Sequence, residues 1–322
     1  LTAGLGSQNP GRQGGSMDTV GQKLDLQGHR GARGLRPEST LPAFEVALDL
    51  QVTTLEFDLH LTRDGALVVW HDPYISAEKC RLDPTRGDGI PDPDGMAADD
   101  PRLMIANLTM EELRSYICDR NPDPDRFPHQ SPIPTALAGL DYGPKSMGEV
   151  LDFVDHYAAS GLKTDAQRAA ASGVRFNVET KRVFEHPEYI GDDFDGVAPG
   201  AFEEAVVALV GARGIESRFT LQSFDHRSLW AARLLAPEMT LAALTDDAPD
   251  LDLLAHWAQQ GASIWSPNYK TLTAELMAAA GDAGLQVIPW TINDEQAMHA
   301  TIAQGVDGLI SDRPDLMMRL VR

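Results

Sequence analysis

The chain has 322 residues, about twice the size of one ordinary domain but within the range of a single large α/β barrel. With 43% hydrophobic residues and two cysteines it is neither a disordered chain nor a disulfide scaffold, and no apolar run approaches the ~18 residues of a membrane span. A net charge of −21 excludes the electrostatic footprint of a protein that wraps nucleic acid or docks on anionic lipid; an anionic substrate must be met by local positive charge.

Residues 1–22 are rich in Gly, Gln and Ser without periodicity and read as a flexible tail, left by processing or foreign to the chain before Met17; no basic, apolar leader is visible in them. A first strand is expected over 24–29, then a glycine-bearing loop. Thr40 is expected to cap a helix with Leu41, Phe44, Ala47 and Leu48 at helical spacing. Residues 53–61 are β-rich, Asp64-Gly65 signals a two-residue hairpin turn, and 67–70 form the return strand. Over 73–144 Pro, Asp and Gly are dense and periodicity is weak; the segment reads as an insertion with one short helix near 110–117. Strand–helix alternation then resumes, with strands at 174–178, 219–224, 239–244, 263–265, 285–290 and 306–310, and helices at 201–212, 225–235, 251–260 and 271–280. Together with the first two strands these make eight βα units. Setting aside the 22-residue tail and the 72-residue insertion leaves 228 of 322 residues, which predicts one (β/α)₈ TIM-barrel domain over 23–322 with a hairpin arm. A doubly wound open sheet is the alternative, but neither a G-x-G-x-x-G nor a phosphate loop follows the first strand.

In such a barrel chemistry sits where strands end. Glu56 and Asp58 are two apart on a strand and share a face, so their charges repel unless a divalent cation lies between them. An all-oxygen set suits Mg²⁺ or Ca²⁺. Glu179, ending the adjacent barrel strand, can add a third ligand; the alternative is that Glu56 and Asp58 merely pair with Arg30 and Arg33. With Asp64 and Gly65 as the only turn residues, Arg63 faces Ala66 and the count places Asp58 opposite His71. His71 thereby reaches the carboxylates, unless it only caps the hairpin exit with Asp72. His29 ends the first strand and faces the same mouth. Two imidazoles beside one metal suit phosphodiester hydrolysis, one taking a proton from the nucleophile and one giving a proton to the leaving alkoxide. Arg30 and Lys181 are placed to grip the non-bridging oxygens.

The run QGHRGARGLRPEST (27–40) followed by LEFDLHLTRDGALVVWHDP (55–73) resembles the glycerophosphodiester phosphodiesterase family, and NVETK, LQSFD, PWTIN and DGLISDRP follow in the order of that family's later motifs. The resemblance spans nearly the whole barrel. It implies a (β/α)₈ barrel with an insertion after the hairpin, and hydrolysis of glycerophosphodiesters to glycerol phosphate and an alcohol with one divalent metal ion. By position it makes His29 and His71 the acid/base pair, Glu56, Asp58 and Glu179 the metal ligands, and Arg30 and Lys181 phosphate contacts. Gln222 and Trp290 would line the substrate mouth, and Glu38 would support Arg30 or the metal site. Ser39 departs from the family's Asn. His60 is read as surface decoration of the hairpin or a substrate contact. Related readings are an enzyme acting on lipid or synthetic phosphodiesters, including a sphingomyelinase D-like one, and a barrel that binds phosphorylated alcohols without turnover.

The remaining histidines, 129, 156, 186, 226, 256 and 299, show no metal-ligand spacing and read as loop or helix-surface residues, and the Asp-rich stretch 87–100 as a solvated loop. Cys80 and Cys118 lie 38 residues apart in an insertion that reads as short of core-forming residues, which predicts a disulfide between them and a periplasmic or secreted protein; two thiols in a cytoplasmic protein is the alternative.

Overall fold

A computed structural model describes residues 24–86 and 89–320. The expected tail lies outside them. Strand β1 (Asp25–His29) leads through a tight loop into α1 (Leu41–Asp49), which buries Phe44, Ala47 and Leu48. Thr40 precedes α1 but does not cap it with its side chain, which instead donates to the Pro37 carbonyl at 2.7 Å. Strands β2 (Thr54–Leu61) and β3 (Leu67–Val69) form the hairpin. The segment that follows carries β4 (Arg81–Leu82), α2 (Met110–Leu113), β5 (Tyr116–Ile117) and β6 (Lys145–Ser146). Then come α3 (Met147–Ala159), α4 (Asp165–Ser172), β7 (Arg175–Thr180), α5 (Ala201–Arg213), β8 (Phe219–Ser223), α6 (His226–Leu235), β9 (Thr240–Thr245) and α7 (Leu251–Gln260). The chain closes with β10 (Ile264–Pro267), α8 (Ala274–Asp282), β11 (Gln286–Val287), α9 (Glu295–Ile302), β12 (Gly308–Ser311) and α10 (Pro314–Met317).

Eight parallel strands run in the order β11-β10-β9-β8-β7-β2-β1-β12. The circle is completed by Asp307 N–H to the Val287 carbonyl at 2.8 Å and Ile310 N–H to Pro289 at 3.0 Å, so the fold is a TIM barrel. Alternation along β2 sorts its residues. Leu55, Phe57 and Leu59 face the helices, with Phe57 edge-on to Phe44 and Phe176, whereas Glu56, Asp58 and His60 take the opposite face. The barrel interior is divided. One half is apolar, with Ala242, Ile264, Ile288 and Ile310. The other half is a polar chain in which Asn177 Nδ2 donates to Gln27 (2.8 Å) and Gln222 (2.9 Å), and Gln222 Nε2 donates to Glu56 (2.7 Å).

The hairpin corrects the expected register. Leu59 pairs with Val69 and His60 with Val68, so Asp58 faces Trp70, whose N–H bonds to the Asp58 carbonyl at 3.0 Å; it does not face His71. The turn holds three residues, because Thr62 rather than Arg63 pairs with Ala66, and Gly65 takes the left-handed φ of +78° that such a loop needs. Asp64 is drawn out of a two-residue turn by its own bonds: its carboxylate accepts from the Thr62 hydroxyl (2.6 Å) and from the Met110 N–H at the start of α2 (3.0 Å).

The segment after β3 also differs from expectation, because it builds a core of its own from Trp70, Ile75, Leu103, Ile105, Leu113 and Tyr116. The expected helix at 110–117 stops at Leu113, and Tyr116–Ile117 instead pairs antiparallel with β4. Cys80 and Cys118 form a disulfide. The segment leaves and returns at one place, since β3 pairs with β6 through Val68–Ser146 and Val69–Lys145. In the Asp-rich stretch Asp92 and Asp100 cap 3₁₀ turns, and Asp94 pairs with Arg120. Among the described residues no helix is long and apolar enough to cross a membrane.

Candidate active site

The loop after β1 is shaped for close approach. Arg30 and Gly31 both have positive φ (48° and 83°), and a Cβ on Gly31 would lie 2.7 Å from the Ala43 backbone. This turn aims the Arg30 N–H at Glu56, 3.0 Å from its Oε2. Strand register does the rest, setting His29 beside Glu56 and Asp58 beside Glu179.

Glu56, Asp58 and Glu179 converge with one carboxylate oxygen each within 4.8 Å of the others, all buried. Both oxygens of Asp58 are buried without a hydrogen-bond donor among the described residues. Charge reaches it only as ion pairs, from Arg30 Nε at 3.2 Å and Lys181 Nζ at 3.7 Å. Two buried acceptor atoms left open are costly, and a hard cation is what an oxygen set of this kind satisfies. Burial opposes the charge on Asp58, but the neighbouring positive charge, Arg30 foremost, outweighs it and holds its carboxyl below the ordinary range. Burial and the Asp58 charge push Glu56 well above its ordinary value, and burial raises Glu179 to about 7. Crowded carboxylates without a cation resist ionising together.

Two imidazoles face this cluster, each held from behind. His29 Nδ1 lies 2.5 Å from Asp312, whose other oxygen accepts from Asn293 Nδ2 at 2.7 Å. His71 Nδ1 lies 2.7 Å from Asp72, which also pairs with Lys79. A carboxylate can only accept, so each Nδ1 carries the proton and each Nε2 offers its lone pair to the site. Burial lowers both histidines, His71 to about 3 with Arg30 and Lys181 adding to the effect, so both are neutral near pH 7.

Glu38 gathers three cations: Arg30 Nη1 at 2.9 Å, Lys79 Nζ at 2.8 Å, and Arg33. Lys181 bonds Glu179 at 2.8 Å. Arg30, Arg33, Glu179 and Lys181 line a cavity of about 280 Å³ together with both histidines, Gln222, Phe224 and Trp290. Of the residues singled out in the sequence, His29, His71, Glu56, Glu179, Arg30, Lys181, Gln222 and Trp290 line it; Asp58 lies beneath them and Glu38 behind Arg30. The Gln222 amide is turned to Glu56, and Trp290 donates to the Ser266 carbonyl at 3.0 Å while its ring meets Phe224 edge-on at 5.6 Å.

His60 is neither surface decoration nor a pocket residue. It is buried, and its Nε2 bonds the backbone carbonyl of His71 at 3.0 Å. Sequence reasoning missed Asp312, Asn293, Asn177 and Lys79; the first three lie inside the quoted later motifs, but no spacing ties Asp312 to a histidine 283 residues away. Ser39 has a left-handed φ of 57° and a buried hydroxyl without a partner.

A sequence model described as the glycerophosphoryl diester phosphodiesterase family matches residues 29–316. The chain is 26% identical over 299 residues to a glycerophosphodiester phosphodiesterase of Caldanaerobacter subterraneus, covering 91% of this chain and 96% of that one. It is 28% identical to one of Bacillus altitudinis, with the same coverage. Among solved structures, one named as a candidate glycerophosphoryl diester phosphodiesterase of Silicibacter pomeroyi superposes with a TM-score of 0.72 at 28% identity, covering 92% of this chain and 93% of that one. A phosphodiesterase of Oleispira antarctica in complex with the product sn-glycerol-3-phosphate shares the fold at TM-score 0.63 and 19% identity, with 92% and 96% covered.

Proposed function

The chain belongs to the glycerophosphoryl diester phosphodiesterase family and is a phosphodiester hydrolase, and from that premise we propose that it splits glycerophosphodiesters by metal-dependent, two-histidine acid–base catalysis. The observation that carries this reading is the pair of imidazoles, each with Nδ1 held by a carboxylate, on one cavity with three converging carboxylates. Glu56, Asp58 and Glu179 would hold one Mg²⁺ or Ca²⁺, and the open oxygens of Asp58 fit that donor set. When bound, such an ion supplies charge for the phosphoryl oxygens.

The chain's own residues supply the proton traffic. One imidazole accepts a proton from the attacking hydroxyl at its Nε2 and later releases it to solvent, and the other, protonated at Nε2 from solvent, gives its proton to the leaving alkoxide. Asp312 and Asp72 keep the rings in the tautomer that leaves Nε2 available. Arg30 and Lys181 stand on the cavity wall where negative charge builds in the transition state. The acid's share depends on the leaving group, so a nitrophenyl ester, whose alcohol leaves unaided, should spare one of the two histidine variants.

Glycerophosphocholine hydrolysis, measured before and after exhaustive chelation and in His29→Ala and His71→Ala, tests this. Chelation should abolish turnover and added Mg²⁺ or Ca²⁺ restore it, and each variant should lose at least about a hundredfold. Full activity after chelation would overturn the metal dependence; equal losses of both variants on alkyl and nitrophenyl esters would overturn the division of labour. The Cys80–Cys118 disulfide favours a periplasmic or secreted setting.

A further inference from the structure

Two arginines on the cavity wall stand outside this chemistry. Arg33 is buried in the loop after β1 and pairs through its Nε with Glu38. Arg126 is exposed and belongs to the stretch between β5 and β6. Among the described residues its side chain makes neither a hydrogen bond nor an ion pair. In a chain with 48 acidic and 27 basic residues, an arginine on a cavity wall that finds no carboxylate is unusual. Both guanidinium carbons lie over the ring of Phe127, at 4.6 Å for Arg33 and 5.0 Å for Arg126. That ring is buried, and its turn is fixed by Phe127 N–H on the Asp123 carbonyl (2.8 Å) and Arg126 N–H on the Asp123 carboxylate (3.0 Å). Held by its face, the Arg126 guanidinium keeps its N–H edge free, the geometry that takes phosphate or carboxylate two bonds at a time.

The cavity lining therefore combines the carboxylates with two arginines that share the Phe127 ring and with the apolar side chains of Phe224, Trp290 and Leu244. A cationic head group is repelled by the arginines and has only the aromatic wall to turn to. We propose that Arg126, with Arg33 behind it, forms a subsite for a second anionic group, so that the protein favours phosphodiesters whose alcohol carries an additional phosphate or carboxylate. This rests on the hydrolytic reading above and names its substrate class.

The test compares three diesters: glycerophosphoinositol, its 4-phosphate, which adds one anionic group to the same alcohol, and glycerophosphocholine. The 4-phosphate should exceed glycerophosphoinositol in kcat/KM by about fivefold to tenfold, carried by KM, with glycerophosphocholine last. Arg126→Ala should cut the first ratio by the same factor, and Arg126→Lys should keep part of it. Arg102→Ala removes an equal charge from the same segment, where Arg102 is exposed and paired with Asp100, and should leave the ratio unchanged. A ratio near one in the unaltered protein, a loss in Arg102→Ala equal to that in Arg126→Ala, or a preference for choline would each overturn the inference. Calorimetric binding of the three compounds to His71→Ala separates the two readings. No turnover by the unaltered protein with the binding order kept would overturn hydrolysis alone, and equal affinities would overturn the anion subsite.

Discussion

Each histidine of the site carries its own carboxylate, and those carboxylates are where single substitutions should be most informative. Asp312 fixes the tautomer of His29 through one oxygen and is itself anchored by Asn293 through the other. Asp312→Asn is expected to lower kcat by at least about a hundredfold with little change in KM, checked by steady-state kinetics alongside an unchanged melting curve. His71 also makes a statement about stability. Burial, then Arg30 and Lys181, lower its pKa to about 3, whereas an unfolded histidine titrates near 6.5. Between those values the unfolded chain binds the proton and the folded one does not, so this contribution is intact above pH 6.5 and is lost on acidification towards 3. At pH 5 the loss is at most about 2 kcal/mol. His71→Gln cannot take up that proton, so thermal melts at pH 7.5 and 5 should show a smaller acid-induced drop in Tm for the variant.

At the scale of elements, periodicity made all eight barrel strands legible, with small errors at their ends, because buried parallel strands read as short apolar runs between turn signals. The hairpin shows where such reading stops. His71 does reach the cavity, but not by pairing with Asp58. One extra turn residue moved the register, and at that turn the Asp64 carboxylate accepts from the Met110 N–H of α2, 46 residues on. His60 was misjudged as well: it is buried, and its Nε2 bonds the His71 carbonyl on the return side of the hairpin. The inserted segment's core was invisible because its apolar residues follow no regular period. The disulfide ties it at a telling point: Cys80 follows Lys79, whose ammonium bonds both Glu38 and Asp72. Replacing both cysteines by alanine is expected to cost up to about 4 kcal/mol for a closed loop of this length, read as Tm, and to lower kcat as the support of His71 loosens.

For the molecule as a whole, the acidic charge and the crowded carboxylates make folding and cation binding one problem. A cation that binds only the folded state stabilises it by about 2.7 kcal/mol at a hundred times its Kd. Chelated protein should therefore melt several degrees lower than protein in Mg²⁺ or Ca²⁺, and Asp58→Asn should erase that difference in differential scanning fluorimetry. The site residues were legible because short motifs mark strand ends; supports such as Asp312, after β12, and Lys79, in the inserted segment, were not, because no local spacing ties them to the residues they hold. The shared exit and return of the segment at β3 and β6 has a further consequence. Its two ends are already neighbours, so a short link could replace the residues from Pro73 to Pro144, beyond His71 and Asp72, without opening the barrel. Lineages can then exchange this piece as a cassette, inheriting the His29 wall unchanged while rewriting which head group is welcome. A donor cassette must meet one condition: it has to bring its own counterpart of Lys79, or the recipient's His71 loses the cation behind its partner Asp72.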